Sequence, residues 1–177
     1  MDLDTLKYPI GRFSRPEVFT REQHAADVMV LREAPGRLAA ALDGLRQEQL
    51  ATPYREGGWP VKTIVHHLAD NNLFAYLRTR LALTEDRPAL PSWSPDRFAG
   101  LPDLQLPAAT SLQLLFPLHQ RWTALLEGIP EEGWKKVYLR PGPEQVPWSV
   151  EQATALYAWH VRHHTAQILA LRQRQGW

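Results

Sequence analysis

The sequence predicts an all-α protein with the architecture of a four-helix bundle. Apolar residues recur with helical spacing in four stretches, residues 20–45, 61–85, 108–127 and 149–174. Two of these stretches also carry histidines on the apolar face that would pack into a bundle core. The chain has 177 residues, a length that suits one compact core, so we expect a single domain over residues 1–177.

The first helix is predicted to begin at Thr20. Thr20 and Gln23 have the spacing of a capping box, in which each side chain accepts from a backbone amide at the start of the helix. Residues 1–19 lack sustained periodicity, and we expect an irregular arm laid over the domain. Pro35 predicts a kink, because proline removes one intrahelical hydrogen bond.

The second helix is predicted to start at Pro60, since a proline at the first helical position loses no hydrogen bond. His66 and His67 lie about 100° apart around this helix, so they cannot both face the core squarely. His67 follows the apolar Ile64 by three residues and is the better inward candidate. We expect surface or packing roles for His66 and for His24 in the first helix.

Residues 85–107 form a long connection between the second and third helices and contain five prolines. Connections of this length often cover a functional site. Within the third helix, Pro117 predicts a bend. Val137–Leu139 and Val146 flank residues 140–143 and indicate a short two-stranded hairpin or an extended excursion before the last helix.

The last helix carries the strongest functional signal. Ser149 and Gln152 repeat the capping-box spacing at its start, and Gly176 is placed to end it. Its inward seam includes two histidines one turn apart: Ala153, Tyr157, His160, His164, Ile168 and Leu171. A buried imidazole needs a partner, and neutral imidazole is a common metal ligand.

Two interpretations of these histidines stand side by side. In the first, His160 and His164 join His67 to bind a metal ion with one coordination position left open for water or substrate. In the second, the rings are buried and bonded to carbonyls or carboxylates. His163 is a geometric rival to His164, because it also lies one turn from His160.

Further candidates would complete such a site. His119 on the third helix is a candidate fourth ligand or base, and Asp70 is a candidate for orienting a ligand ring. The residues between His160 and His164 do not supply the glutamate of an HExxH motif, so a protease-type site is disfavoured.

Composition excludes several classes of function. The chain has no cysteine, so a metal must be bound by nitrogen and oxygen and no cysteine nucleophile exists. Twenty basic residues balance 19 acidic ones, which gives no electrostatic signature for nucleic acid or an anionic membrane. No apolar run has the length of a signal peptide or a membrane span, and we expect a cytoplasmic protein.

The arginines and tryptophans have simpler expected roles. We expect the tryptophans to lie in the core rather than around a ligand. We expect solvated side chains, not an anion pocket, for Arg78, Arg80, Arg121 and Arg162.

Several motifs together resemble the YfiT group of the DinB-like superfamily across almost the whole chain: YPIG (8–11), TPYREGGWPVKTIVHHLAD (52–70), RWTALL (121–126), LYAWHVRHHTAQI (156–168) and the final Gly176-Trp177. The resemblance implies a bundle with up-down-down-up connectivity, a homodimer, and one divalent ion per subunit, zinc or nickel. The implied ligands are His67, His160 and His164.

The resemblance leaves the reaction open. YfiT-group proteins are described as metal-dependent hydrolases of small molecules, whereas other members of the superfamily are thiol S-transferases that use bacillithiol or a similar thiol. The remaining alternative is a non-enzymatic stress-response module. In that module the metal is bound by four protein ligands and only stabilises the bundle. A role on nucleic acid is disfavoured by the charge balance.

Overall fold

The structure of the protein is a computed structural model that describes residues 2–140 and 145–177. Each predicted apolar stripe forms a long helix, and short elements connect them. In chain order the elements are α1 (Leu3–Lys7), α2 (Arg21–Leu42), α3 (Gln47–Leu50), α4 (Val61–Thr84), α5 (Pro95–Phe98), a 3₁₀ turn (Pro102–Gln105), α6 (Ala108–Gly128), α7 (Glu131–Lys135), β1 (Val137–Leu139), β2 (Pro147–Ser149) and α8 (Val150–Gln175).

The two middle helices of the bundle run in the same direction. Near the start of both, His66 of α4 lies 2.7 Å from the hydroxyl of Ser111 in α6. Further along both, the indole of Trp122 donates to Thr79 at 3.2 Å. Residue numbers therefore rise together, and α4 and α6 are parallel.

The outer pair, α2 and α8, is also parallel. His24 lies 3.2 Å from Glu151 near the two helix starts, and Arg172 donates to the carbonyl of Ala41 near the two ends. α8 runs antiparallel to α4, since His67 meets His160 early in α4 and Arg78 meets Tyr157 later in it. The four-helix bundle thus has the predicted up-down-down-up connectivity.

Helix caps explain where α2 and α8 begin. Ser149 and Gln152 form the predicted capping box, and Gly176 ends α8 in the left-handed conformation at φ +69°. Thr20 caps α2 by accepting from the Gln23 amide, but Gln23 turns to Asp27 instead of completing the box.

The short elements show where periodicity was uninformative. The arm contains α1, which is capped by the Asp2 side chain, and α7 follows α6. Both helices have five residues, too short to produce a helical repeat. α4 begins at Val61, one residue later than expected, because Pro60 occupies the cap position. α2 and α6 continue through Pro35 and Pro117.

The predicted hairpin is present as two antiparallel strands. Tyr138 pairs with Trp148, and Leu139 also bonds the 85–107 connection through the backbone of Pro88 and Leu90. Residues 141–143, which we expected to form the turn, lie outside the described residues. The hairpin therefore anchors the long connection against the start of α8.

The core lies between the four long helices. Its largest fully buried side chains include Trp122, Tyr138, Leu31, Ile64, Leu115 and Ile168. Within residues 2–140 and 145–177, no helix combines the length and the apolarity that a membrane crossing requires.

Candidate metal centre

Three histidine nitrogens converge between α4 and α8. Nε2 of His160 lies 3.3 Å from Nε2 of His67 and 3.1 Å from Nε2 of His164. One ligand nitrogen from each ring lies within 4.8 Å of the others. His67 and His164 are buried, and His160 is partly exposed. The structure thus brings together the three residues that the sequence indicated.

The geometry and donor chemistry fit a small divalent ion. Nitrogens bound at 2.0–2.1 Å in a tetrahedral site lie about 3.3 Å apart, close to the separations of His160 Nε2 from its two neighbours. Nitrogen-only ligands suit zinc and nickel better than magnesium or calcium, which prefer oxygen. Three protein ligands also leave a coordination position for water or substrate.

The imidazole rings of His67, His160 and His164 are in the neutral state that metal binding requires. Burial lowers the pKa of His67 to about 4. Burial holds the pKa of His160 and of His164 well below its usual range, and the neighbouring rings lower both further. All three imidazoles are therefore neutral near pH 7, so no proton must be displaced before a ligand bond forms.

Gln167 orients His164. The Gln167 carbonyl oxygen, Oε1, accepts from Nδ1 of His164 at 2.8 Å, which places the proton on Nδ1 and leaves the Nε2 lone pair facing the other two rings. The amide nitrogen donates to the carbonyl of Lys7 and to His163. One buried glutamine thus links a candidate ligand to the N-terminal arm.

The other two rings are held less completely. The amide nitrogen of Asn71 lies 3.2 Å from Nδ1 of His160. If His160 binds a metal through Nε2, its Nδ1 carries the proton, and rotation of the Asn71 amide would offer Oδ1 as its acceptor. Nδ1 of His67 is buried and has no hydrogen-bond partner within the described residues.

Aromatic rings from two connections shield His67. The ring centroids of Trp59 and Trp93 lie 4.8 and 5.9 Å from that of His67. Trp93 also stacks on Phe74 at 5.1 Å, which pins the 85–107 connection against α4. These two tryptophans therefore lie beside the site, whereas we expected the tryptophans to lie in the core. Trp122 is fully buried, as expected.

A cleft of about 500 Å³ opens beside His164. Its walls come from the arm, the turn before α4, α5 and α8, and include Tyr8, Trp59, Asp96 and Gln167. Asp96 accepts from the indole of Trp59 through Oδ1 at 3.2 Å. A carboxylate thus lies in the cleft that reaches His164, one of the three converging histidines.

Two of the additional candidates lie away from the cluster. His119 is not one of the converging rings. Its Nδ1 donates to the carbonyl oxygen of Leu31 at 2.5 Å, and its ring packs edge-on against Trp122. Asp70 does not orient a ligand ring and lies near Asp103 of the 3₁₀ turn instead. Burial raises the pKa of Asp70, and the negative charge of Asp103 raises it further. Gln167 and Asn71 contact the ring nitrogens instead.

His163 lies one layer behind the cluster. Its ring stacks on Trp159 at 4.5 Å, and its Nε2 contacts Gln167 at 3.0 Å. His163 therefore contacts the residue that orients His164 and is not one of the three converging rings.

The other histidines have packing roles, as expected. His24 stacks on Trp134 at 4.1 Å and lies 3.2 Å from Glu151. His66 lies 3.1 Å from the carbonyl oxygen of Leu106. Arg78 departs from its expected solvated role, because it is half-buried and donates to Tyr157 at 2.7 Å.

The residues that sequence reasoning missed divide into two kinds. Asn71 and Gln167 lie one turn from His67 and His164 on the same helix faces, so helical spacing could have identified them. Trp59, Trp93 and Asp96 lie on connections, where no periodicity predicts the direction of a side chain.

The chain is similar to known proteins over most of its length. Residues 31–168 match the family model of the DinB superfamily. A protein of Geobacillus thermodenitrificans named "Putative metal-dependent hydrolase" is 46% identical over 177 residues, covering 99% of this chain and 98% of the relative. A Bacillus licheniformis protein with the same designation is 44% identical over 176 residues, covering 99% of each chain.

A solved structure is similar over the same extent. YfiT from Bacillus subtilis, described as "a probable metal-dependent hydrolase with an unusual four-helix bundle topology", superposes with a TM-score of 0.94 at 39% identity. The match covers 98% of this chain and 99% of that one. The chain therefore belongs to the DinB superfamily and has the four-helix-bundle fold of its YfiT-type proteins.

Proposed function

We propose that this protein is a metal-dependent hydrolase that binds one divalent ion, zinc or nickel, through Nε2 of His67, His160 and His164. The observation that carries the proposal is the convergence of three neutral ring nitrogens within 4.8 Å of one another, in which His160 Nε2 lies 3.3 Å from that of His67 and 3.1 Å from that of His164. The hydrolase designation of the relatives supports the choice of reaction.

An ion held by three neutral ligands would lower the pKa of a bound water and polarise a substrate carbonyl. The protein supplies the remaining functions. Gln167 fixes the orientation of His164, and the rings of Trp59 and Trp93 exclude water from one side of His67. A small-molecule substrate would enter through the cleft beside His164.

Asp96 is the acid-base group that we assign to the cleft. Its Oδ1 is occupied by the indole of Trp59, which leaves Oδ2 to accept a proton from an attacking water. This carboxylate provides the general base that the spacing of the histidines did not reveal.

Turnover assays with metal-loaded and metal-stripped protein test the proposal. We expect hydrolysis within a panel of esters and amides, lost when the metal is removed and restored by zinc or nickel. Bacillithiol with a chlorinated nitroarene provides the competing assay for thiol transfer. Turnover in the thiol-transfer assay alone would replace the hydrolase assignment. Bound metal without turnover in either assay would favour the non-enzymatic module, in which the metal only stabilises the bundle.

Assembly and location are further parts of the proposal. We expect a homodimer in the cytoplasm, as the resemblance to the YfiT group implies. Analytical ultracentrifugation of metal-loaded protein tests the oligomeric state, and a monomer at all accessible concentrations would contradict it.

A further inference from the structure

The cleft beside His164 differs from an ordinary apolar pocket in its charged walls. Two half-buried cations, Lys7 and Arg55, line it together with the carboxylate of Asp96. The charged side chains of the lining therefore sum to a net positive charge.

Arg55 is held in place without a counter-ion. Its Nε donates to the hydroxyl of Tyr54 at 3.0 Å, and its Nη1 donates to the backbone carbonyl of Glu56 at 2.6 Å. No carboxylate of the described residues lies within 4 Å of its guanidinium. Nη2 makes no hydrogen bond to any described residue, so it remains available to a ligand.

The turn that carries Arg55 has little freedom to move. Tyr54 donates its backbone amide to the carbonyl of Trp59 at 3.0 Å, and Gly57 adopts φ +62°. A Cβ atom on Gly58 would lie only 2.7 Å from the Tyr54 ring. The guanidinium is therefore preorganised, which lowers the entropic cost of binding a ligand.

Lys7 lines the same cleft from the end of α1. Its backbone carbonyl accepts from Gln167 at 2.9 Å, which fixes the end of α1 beside His163 and His164. Its ammonium also lacks a carboxylate within 4 Å among the described residues. Asp96, the acid of the lining, is partly satisfied by Trp59.

We propose that Arg55, assisted by Lys7, binds a carboxylate or phosphate group of the substrate, so that the substrate of this centre is a small oxyanion-bearing molecule. A guanidinium presents paired donors that match the oxygens of a carboxylate or a phosphate. A guanidinium that has no counter-ion and lies in a partly dehydrated cleft gains more binding free energy from such an anion than a fully solvated guanidinium does. This inference rests on the proposed function for the reaction but concerns binding alone.

Binding of simple anions tests the inference without any turnover. Inorganic phosphate and succinate would be titrated separately into metal-loaded, ¹⁵N-labelled protein, with the indole N–H resonance of Trp59 as reporter. We expect saturable shifts with either anion and an affinity about tenfold or more lower in Arg55→Gln, since a hydrogen bond to a charged group is lost. Arg37→Gln is the matched control, because Arg37 is exposed and pairs with Glu33.

A second measurement connects binding to substrate choice. Values of kcat/KM for 4-acetoxybenzoate and phenyl acetate, which differ by one carboxylate, should favour the anionic ester in the wild type and lose that preference in Arg55→Gln. Equal anion affinities in Arg55→Gln and wild type, or no anion binding to metal-loaded wild type, would overturn the inference. Anion binding at Arg55 with neither ester hydrolysed would instead count against the proposed hydrolase.

Discussion

Gln167 accepts a hydrogen bond from His164, with Oε1 2.8 Å from the ring Nδ1. The same amide donates to the backbone carbonyl of Lys7. The orientation of one candidate ligand is therefore coupled to the docking of the N-terminal arm. Residues 160 positions apart in the chain meet through one buried side chain.

Replacing Gln167 by alanine should weaken metal binding. Loss of a partner that orients a ligand histidine typically lowers metal affinity about 10- to 100-fold. Zinc affinity would be measured by competition with a chromophoric chelator. The exposed Gln113→Ala on α6 is the control, and an unchanged affinity in Gln167→Ala would show that the amide does not position His164.

Substituting alanine for Gly58 should displace the turn that carries Arg55. The new Cβ would lie 2.7 Å from the Tyr54 ring, closer than real Cβ contacts allow. We expect the free energy of unfolding to fall by about 1–3 kcal/mol, as is typical of overpacking, and phosphate affinity to fall with it.

Gly36→Ala is the matched control for this substitution. Gly36 lies inside α2, and a Cβ there would meet nothing within 4 Å. Alanine is the better helix former, so the free energy of unfolding should rise by about 0.5–1 kcal/mol. Urea unfolding of both variants measures these changes, and equal effects would contradict the close packing of Gly58.

His119 should make stability depend on pH. Burial lowers its pKa in the folded state below that of the unfolded chain, about 6.5. The unfolded state then binds more protons below that pH, so the contribution of His119 to stability is complete above pH 6.5 and is lost as the pH falls toward the folded pKa. Each unit of lowering corresponds to about 1.4 kcal/mol.

His119→Gln tests this linkage, because glutamine retains a donor for the Leu31 carbonyl but does not titrate. We expect the free energy of unfolding to decrease less between pH 7.5 and pH 5.5 in the variant than in the wild type. Urea unfolding at the two pH values measures the difference. Parallel decreases in the two proteins would mean that His119 titrates normally.

Regular helix faces made much of this protein predictable. Stepping along α8 by three and four residues identifies His160 and His164 as neighbours on the core face, and the same rule brings His67 inward on α4. The resemblance to the YfiT group added the connectivity of the helices, which periodicity alone does not specify. The helical repeat thus placed His67, His160 and His164 correctly, whereas His66, which it placed off the core face, is also buried.

The remainder depended on contacts between distant segments. His119 satisfies the inward periodicity of α6, yet it bonds the backbone of α2, because a helix face does not specify which neighbour it meets. Asp96 and Trp93 reach the site from an irregular connection whose path is set by packing on Phe74 and by pairing with β1. Such positions follow from tertiary packing and have no local sequence signal.

The metal content of His160→Ala tests the central claim most directly. His160 contacts both other rings of the cluster, so its removal leaves two nitrogens, too few for a stable site. After incubation with zinc or nickel and desalting, elemental analysis should find about one ion per chain in the wild type and in the control His119→Gln, and almost none in His160→Ala. Retention of the ion by His160→Ala would contradict the assignment of the site.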